Sequence, residues 1–419
     1  MRVSLLLRWS GLAALVGVAA GLGSAGFLLA LAWVTAQYQA LPGLLFGLPA
    51  AGALIAWVYA GYGQPAAGGN NLILEHIHEP GERGVPLRMF PVVLFGTLLT
   101  HLFGGSAGRE GTAVQMGGSL AATIGRLARL SAAETRLLLM AGISAGFGSV
   151  FGTPIAGAVF GMEVVLLGVM RYEALIPCLI AALAGDAVVD ALGVAHSHYA
   201  VAAAPLLPAL AIKLVLAGVL FGWASAAFAE LAHAVTATSR RLLPRPVPRA
   251  AVGGALIVAI TLGLGTRIYS GLSLPLLAQA FSPAGVPVPA FAIKLILTAL
   301  TLGVGFKGGE VTPLFVIGAT LGATLGRWLG APGDFMAALG FIAVFAAAAN
   351  TPMACVLMGV ELFGASMLVP IAITTFVAYL ASGHRGIYAA QRIHTPKFTI
   401  DGVDLVGSRL DAVRPPRKE

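Results

Sequence analysis

Two glutamates in this chain stand where a carboxylate is costly. Glu110 lies in Gly108-Arg109-Glu110-Gly111-Thr112, and Glu310 in Gly308-Gly309-Glu310-Val311-Thr312-Pro313. An apolar run rich in Gly, Ala and Thr follows each of them, and the two positions are 200 residues apart in a chain of 419. Each is predicted to sit where a Gly-rich break becomes a helix. A helix that starts inside a membrane exposes N–H groups with no intrahelical partner, and its dipole adds partial positive charge there. Glycines let a ligand come close to this backbone. Such a place binds anions without needing lysine or arginine. An ionised carboxylate can fill the site itself, and a protonated one leaves it free. One side chain could then exchange with an anion and carry a proton. Tight packing explains glycines, but it does not call for a carboxylate at membrane depth.

The elements that must position these residues are membrane helices. The chain is 58% hydrophobic and 10% charged, with mean hydropathy +0.91, against about 25% charged residues in soluble domains. The runs 11–34 and 204–227 can cross a hydrocarbon core of roughly 30 Å. The run 335–349 is shorter and reads as a half-span. Fifty-five glycines favour closely packed and broken helices over a barrel. The first apolar run continues too far for a signal peptide and reads as a retained helix. Cys178 and Cys355 lie in apolar runs and suggest neither a disulfide nor a metal site.

The net charge of +8 comes largely from three clusters: Arg2 and Arg8; Arg240, Arg241, Arg245 and Arg249; and Arg414, Arg417 and Lys418. The positive-inside rule places all three on the cytoplasmic side. No basic face with interleaved aromatics is present, so nucleic acid is not an expected partner. Neither a nucleophile–base set nor a His-Glu-x-x-His motif occurs, which argues against an enzyme.

The chain divides into a first transmembrane repeat (1–238), a cytoplasmic linker (239–249), a second repeat (250–395) and a short cytoplasmic tail (396–419). A second landmark supports the duplication. Thr153-Pro154 opens a helix ending at Glu163, and Thr351-Pro352 opens one ending at Glu361. Thr as N-cap with Pro at the first helical position suits both starts. Duplication with broken helices marks transporters whose site lies between the repeats. Glu163 and Glu361 read as polar helix ends near the interface. His76 and His78, with Glu75 and Glu79, look like metal ligands, but only His76 and Glu79 would share a helix face. A solvated helix end is the simpler reading, and His196 and His198 fit a loop in the same way. Ser106 and Ala107 belong to the break. Phe341 and Phe376 are candidate pathway linings, with core packing the simpler account. No metal or cofactor is expected.

Gly108-Arg109-Glu110-Gly111 resembles the helix-start signature of the CLC family of anion channels and transporters. Residues 151–163, 308–313 and Gly386-Ile387-Tyr388 follow the family's order and spacing, and the resemblance runs through nearly all of 5–395. It implies an all-α membrane protein, a CLC-type inverted-repeat bundle with broken and tilted helices. It also implies a homodimer with one pathway per subunit, cytoplasmic termini and residence in the plasma membrane, the inner membrane of a bacterium. No cytoplasmic regulatory domain is expected after the second repeat. By the same resemblance Glu110 is the gate and proton carrier. Gly108, Arg109, Gly111 and Val311 line the anion site, and Tyr388 offers its hydroxyl.

The chain departs from the chloride-transporting pattern at several places. Thr112 stands where proline is usual, and Gly68-Gly69-Asn70-Asn71-Leu72 replaces a Gly-Ser-Gly-Ile-Pro stretch. Glu310 and Thr312 stand in what is usually a Gly-x-Phe-x-Pro loop, and Val164 follows Glu163 where exchangers carry an inner glutamate. Together these are similar to the fluoride-exporting branch. The similarity implies roles in transport for Asn71 or Asn70, Thr312 and Glu310, with Glu310 either a hydrogen-bond donor to fluoride or an inner proton station. Fluoride holds water strongly, and amide and hydroxyl donors can replace that hydration. The expected function is fluoride/proton antiport. Chloride/proton exchange and passive anion conduction are the alternatives.

Overall fold

The computed structural model describes residues 3–79, 84–196, 199, 201–202, 204–399 and 404–413. Arg2, His198, Arg414, Arg417 and Lys418 lie outside the described residues. Sixteen α-helices form two sets of eight among the described residues. The first set is α1 (Val3–Ala40), α2 (Leu48–Ala60), α3 (Asn70–His78), α4 (Met89–Leu102), α5 (Glu110–Leu127), α6 (Ala132–Phe151), α7 (Pro154–Glu163) and α8 (Leu175–Ala191). The second is α9 (Pro208–Leu242), α10 (Pro246–Gly263), α11 (Leu274–Ala280), α12 (Ala290–Gly303), α13 (Val311–Leu329), α14 (Gly333–Ala349), α15 (Pro352–Phe363) and α16 (Leu368–Ala381).

Equivalent helices pack in equivalent ways. α1 lies against α4, α5, α6 and α8, and α9 lies against α12, α13, α14 and α16. This pairing is the pattern expected of two repeats of eight helices. The stretch 239–249, expected to be a linker, is helical except for 243–245. Its prolines read as loop residues, but Pro246 occupies the first position of α10, where a missing N–H costs nothing. Five helical stretches are long and apolar enough to cross a membrane: Leu6–Ala40, Pro42–Ala60, Tyr172–Ala191, Pro208–Leu242 and Pro246–Gly263. The run starting at 204 becomes helix only at Pro208. The expected half-span 335–349 is the buried interior of α14. There the backbones of Gly318 and Gly340 meet so closely that a Cβ on either would strike the other's carbonyl. Small residues at helix contacts allow this approach in membranes.

Glu163 and Glu361 have a definite structural task. The Glu163 carboxylate accepts from Met353 N–H at 3.1 Å and Ala354 N–H at 2.8 Å. The Glu361 carboxylate accepts from Ile155 N–H at 2.9 Å and Ala156 N–H at 2.8 Å. Each glutamate ends its own helix and caps the start of the opposing one, which locks α7 to α15. The threonines expected to cap do not do so. The opposing carboxylates have taken the N–H groups, and the buried Thr153 hydroxyl has no partner. Hydrogen bonds to charged groups are worth roughly 1.5–3 kcal/mol each. Glu163→Ala should therefore destabilise the fold by about 3 kcal/mol or more, read as a lower unfolding temperature in detergent. Thr153→Val should be nearly silent in the same assay.

The described segments around the tail are docked on the first half of the chain. Arg392–Ile393 pairs in parallel with Leu166–Leu167, and Leu405 and Leu410 are buried with Leu167 and Ile393. Arg409 reaches Glu75 at 2.9 Å, and Arg392 pairs with Glu79. The His78 Nε2 lies 3.0 Å from the Val165 carbonyl. Glu75, Glu79 and His78 thus tie the end of α3 to neighbouring segments.

Candidate functional site

The starts of α5 and α13 meet at the centre of the molecule. Gly108 and Gly309 form an antiparallel bridge, with N···O distances of 2.6 and 2.8 Å. Only glycine permits this crossing. A Cβ on Gly108 would lie 2.8 Å from Pro313 Cδ, and one on Gly309 would lie 2.7 Å from Gly111 N. Helix α5 begins at Glu110 with Arg109 as its N-cap, and α13 begins at Val311 with Glu310 as its N-cap. The structural counterpart of Glu110 is therefore Val311, and that of Glu310 is Arg109. The spacing of 200 relates two residues of one type that are a position out of register.

Glu110 is fully buried, and its carboxylate sits on the start of the opposing helix. It accepts from Thr312 N–H at 3.0 Å and from the Thr312 hydroxyl at 2.5 Å. The Arg109 N–H donates to it at 3.2 Å, and the Arg109 Nε lies 3.4 Å away. The side chain thus occupies an anion-binding helix terminus as an anion would. Thr112 is buried and shares a hydrogen bond of 2.7 Å with Thr97, which ties α5 to α4 where proline could not. Ser106 ties the break to α12 through Thr298 and Thr301. Ala107 offers its carbonyl to His101 at 3.1 Å.

A cavity of about 170 Å³ approaches this crossing, lined among others by Asn70, Asn71, Glu310 and Tyr388. The structure distinguishes the two asparagines. Asn71 Oδ1 accepts from Ala390 N–H at 3.0 Å, anchoring the segment that carries Tyr388. Asn70 Oδ1 is buried with no partner, and its Nδ2 approaches Gly111, where an added Cβ would meet it at 3.1 Å. Asn70 also lines a smaller cleft with Tyr388 and Ile143. The Tyr388 hydroxyl has no hydrogen-bond partner among the described residues. Val311 is buried at the first position of α13.

Other expected residues lie elsewhere. Phe341 stacks on Phe315 at 3.9 Å in the aromatic core, and Phe376 is 39% exposed on the outer face of α16. Lys307, Tyr59 and Gln115 line the cavity without having been singled out in the sequence. Lys307 sits three residues before Glu310, in the same Gly-rich break, and that proximity was a usable signal. His196 comes together with Asp186 and Asp190, their ligand atoms within 4.8 Å of one another. This group is part-exposed, at the end of α8 and away from the crossing.

The voltage gated chloride channel family matches residues 51–383. A chloride/fluoride channel protein of Pseudomonas syringae pv. tomato is 46% identical over 395 residues, 93% of this chain and 87% of that one. The crystal structure of a CLC-type fluoride/proton antiporter superposes with a TM-score of 0.90 at 35% identity, covering 94% of this chain and 100% of that one. An H(+)/Cl(−) exchange transporter of Cronobacter sakazakii is 26% identical, over 90% of this chain and 86% of that one.

Proposed function

Because the chain belongs to the voltage-gated chloride channel (CLC) family, we propose that it is a fluoride/proton antiporter that exports fluoride with the proton gradient. The observation that carries this reading is the Glu110 carboxylate held on the start of α13 by both donors of Thr312. Those donors suit a small, strongly hydrated anion, and Glu110 competes with it for them. Ionised, Glu110 closes the pathway. Protonated, it loses its claim on the donors, and fluoride takes its place. Asn70 and Tyr388 offer further donors along the cavity, and Glu310 stands at its wall as a donor when protonated. Proton movement in one direction and fluoride movement in the other then share one side chain. The relatives named for fluoride match this chain at higher identity than the chloride exchanger does, which supports fluoride over chloride as the substrate.

The cavity lies toward the facing ends of α9 and α10, which carry Arg240 and Arg249: Ser239 Oγ donates to the Gly303 carbonyl at 2.9 Å, next to Leu302 of the cavity lining. The positive-inside rule makes that side cytoplasmic, so fluoride enters the cavity from the cell interior. The protein works as a homodimer with one pathway per subunit in the plasma membrane. Purified protein in liposomes, followed with fluoride and chloride electrodes, tests the assignment. Fluoride efflux should exceed chloride efflux by about tenfold or more, a difference of 1.4 kcal/mol, and should move protons. Equal fluxes would favour the chloride/proton exchanger, and fluoride flux without protons a passive channel.

A further inference from the structure

We infer that Lys307 is the anion-capture residue of the inner mouth, drawing fluoride from the cytoplasmic side toward the Thr312 donors. This rests on the fluoride-antiport reading above. Lys307 lies in the break between α12 and α13, and it lines the same cavity as Glu310, Asn70 and Tyr388. Its stem is fixed by the bare backbone of Gly96 on α4, where a Cβ would come within 2.9 Å of Lys307 Cβ. Its Nζ lies 4.2 Å from the centre of the Tyr59 ring on α2. Among the described residues, no acceptor or carboxylate lies within bonding distance of this ammonium, and Glu310 acts on it only across the cavity. A cation over a ring is stabilised through its charge, and none of its three N–H donors is used up.

A packing residue would not need that charge. A structural lysine would spend its donors, as Lys294 does on Tyr269 O, Gly271 O and Ser273 Oγ at 3.2, 2.7 and 2.9 Å. Lys307 instead holds a compact point charge on a flexible stem at the wall of a polar cavity. Arg240 and Arg249, at the facing ends of α9 and α10, act on it electrostatically. Glu310 is the one carboxylate among the residues lining the cavity. Lys307 balances it within the lining, and Arg240 and Arg249 beyond the lining make the surroundings net positive. Charge focused in a cleft raises the local concentration of the counter-ion and its rate of arrival. The Lys307 ammonium offsets part of the cost of dehydrating fluoride before Thr312 receives it.

Lys307→Met, Lys307→Arg and the wild type, reconstituted in liposomes, separate capture from packing. Lys307→Met should raise KM for fluoride by about tenfold, with the maximal rate within about twofold, since capture changes kcat/KM and leaves later steps intact. Lys307→Arg should restore KM. The wild-type advantage should shrink as inert salt is added, because the Debye length falls below about 10 Å above 0.1 M. Lys307→Cys gives a charge-specific control, the native Cys178 and Cys355 being buried. A cationic methanethiosulfonate should lower its KM, and an anionic one should raise it. An unchanged KM in Lys307→Met overturns the inference, as does a fall in maximal rate alone, or equal effects of the two reagents. Wild-type protein that moves no fluoride would instead overturn the function on which it rests.

Discussion

Vesicles containing Glu110→Gln should show no fluoride-driven proton movement. The amide keeps the shape of the side chain but has no proton to exchange. Its surroundings accommodate the amide. One Glu110 oxygen faces the Thr312 and Arg109 N–H groups, and the other faces the Thr312 hydroxyl and the Arg109 Nε. A glutamine can set its oxygen on the two N–H groups and donate from its nitrogen to the Thr312 hydroxyl, which also accepts. The residue would keep its place and lose its titration. Proton movement should fall by about a hundredfold or more, the scale on which loss of one positioned proton-transfer group acts. Undiminished proton movement, read with a pH electrode under a fluoride gradient, would remove Glu110 as the carrier. The measurement is independent of fluoride flux through the variant.

Much of this site is local, and local features are readable. The Gly-Arg-Glu-Gly turn announces a helix start because glycine, a carboxylate and an apolar run are adjacent in the chain. The structure puts α5 at Glu110 and α13 at Val311, one residue from a symmetric expectation. That single residue decides that the Glu110 carboxylate crosses to Thr312 while Glu310 remains at the cavity wall. A motif spacing of 200 could not reveal it, because the register is set by the Gly108–Gly309 bridge. The same limit applied to the Thr-Pro starts. Their prolines were legible as first helical positions. Their caps were not, because the capping carboxylates come from Glu361 and Glu163, some 200 residues away and in three dimensions only. The stretch 239–249 is helical on both sides of 243–245 for a different reason. Charge and proline there mark a membrane surface, and a helix such as α9 can extend past that surface to Leu242. Asn70 and Asn71 could not be ranked from adjacent positions. The Ala390 N–H binds the Asn71 amide oxygen, and the Asn70 amide oxygen is buried without a partner.

Glu310→Ala should lower fluoride flux by about tenfold or more, and it should do so without unfolding the protein. Glu310 is the N-cap of α13, but its side chain makes no capping hydrogen bond, so truncation removes no tie between helices. What it removes is a group in the wall of the cavity that can donate when protonated and can accept a proton from the Glu110 side. Oriented donors or dipoles at a dehydrating anion act at low local dielectric, where loss of one is worth about 2.7–4 kcal/mol at the strongest, so a tenfold loss is a conservative expectation. Glu310→Gln divides the two possible contributions. If Glu310 serves only as a donor, the amide sustains both flux and proton coupling. If it is also a proton station, the amide sustains flux and loses coupling. The second outcome is the expected one. Val164 leaves no carboxylate after Glu163, and Glu163 itself is committed to the start of α15 through Met353 and Ala354. On the proposed mechanism, a proton leaving Glu110 inward would have Glu310 as the carboxylate in the cavity wall. Unchanged rate and coupling in Glu310→Ala would take Glu310 out of the pathway. Thr312 would then be the residue on which selectivity for fluoride rests.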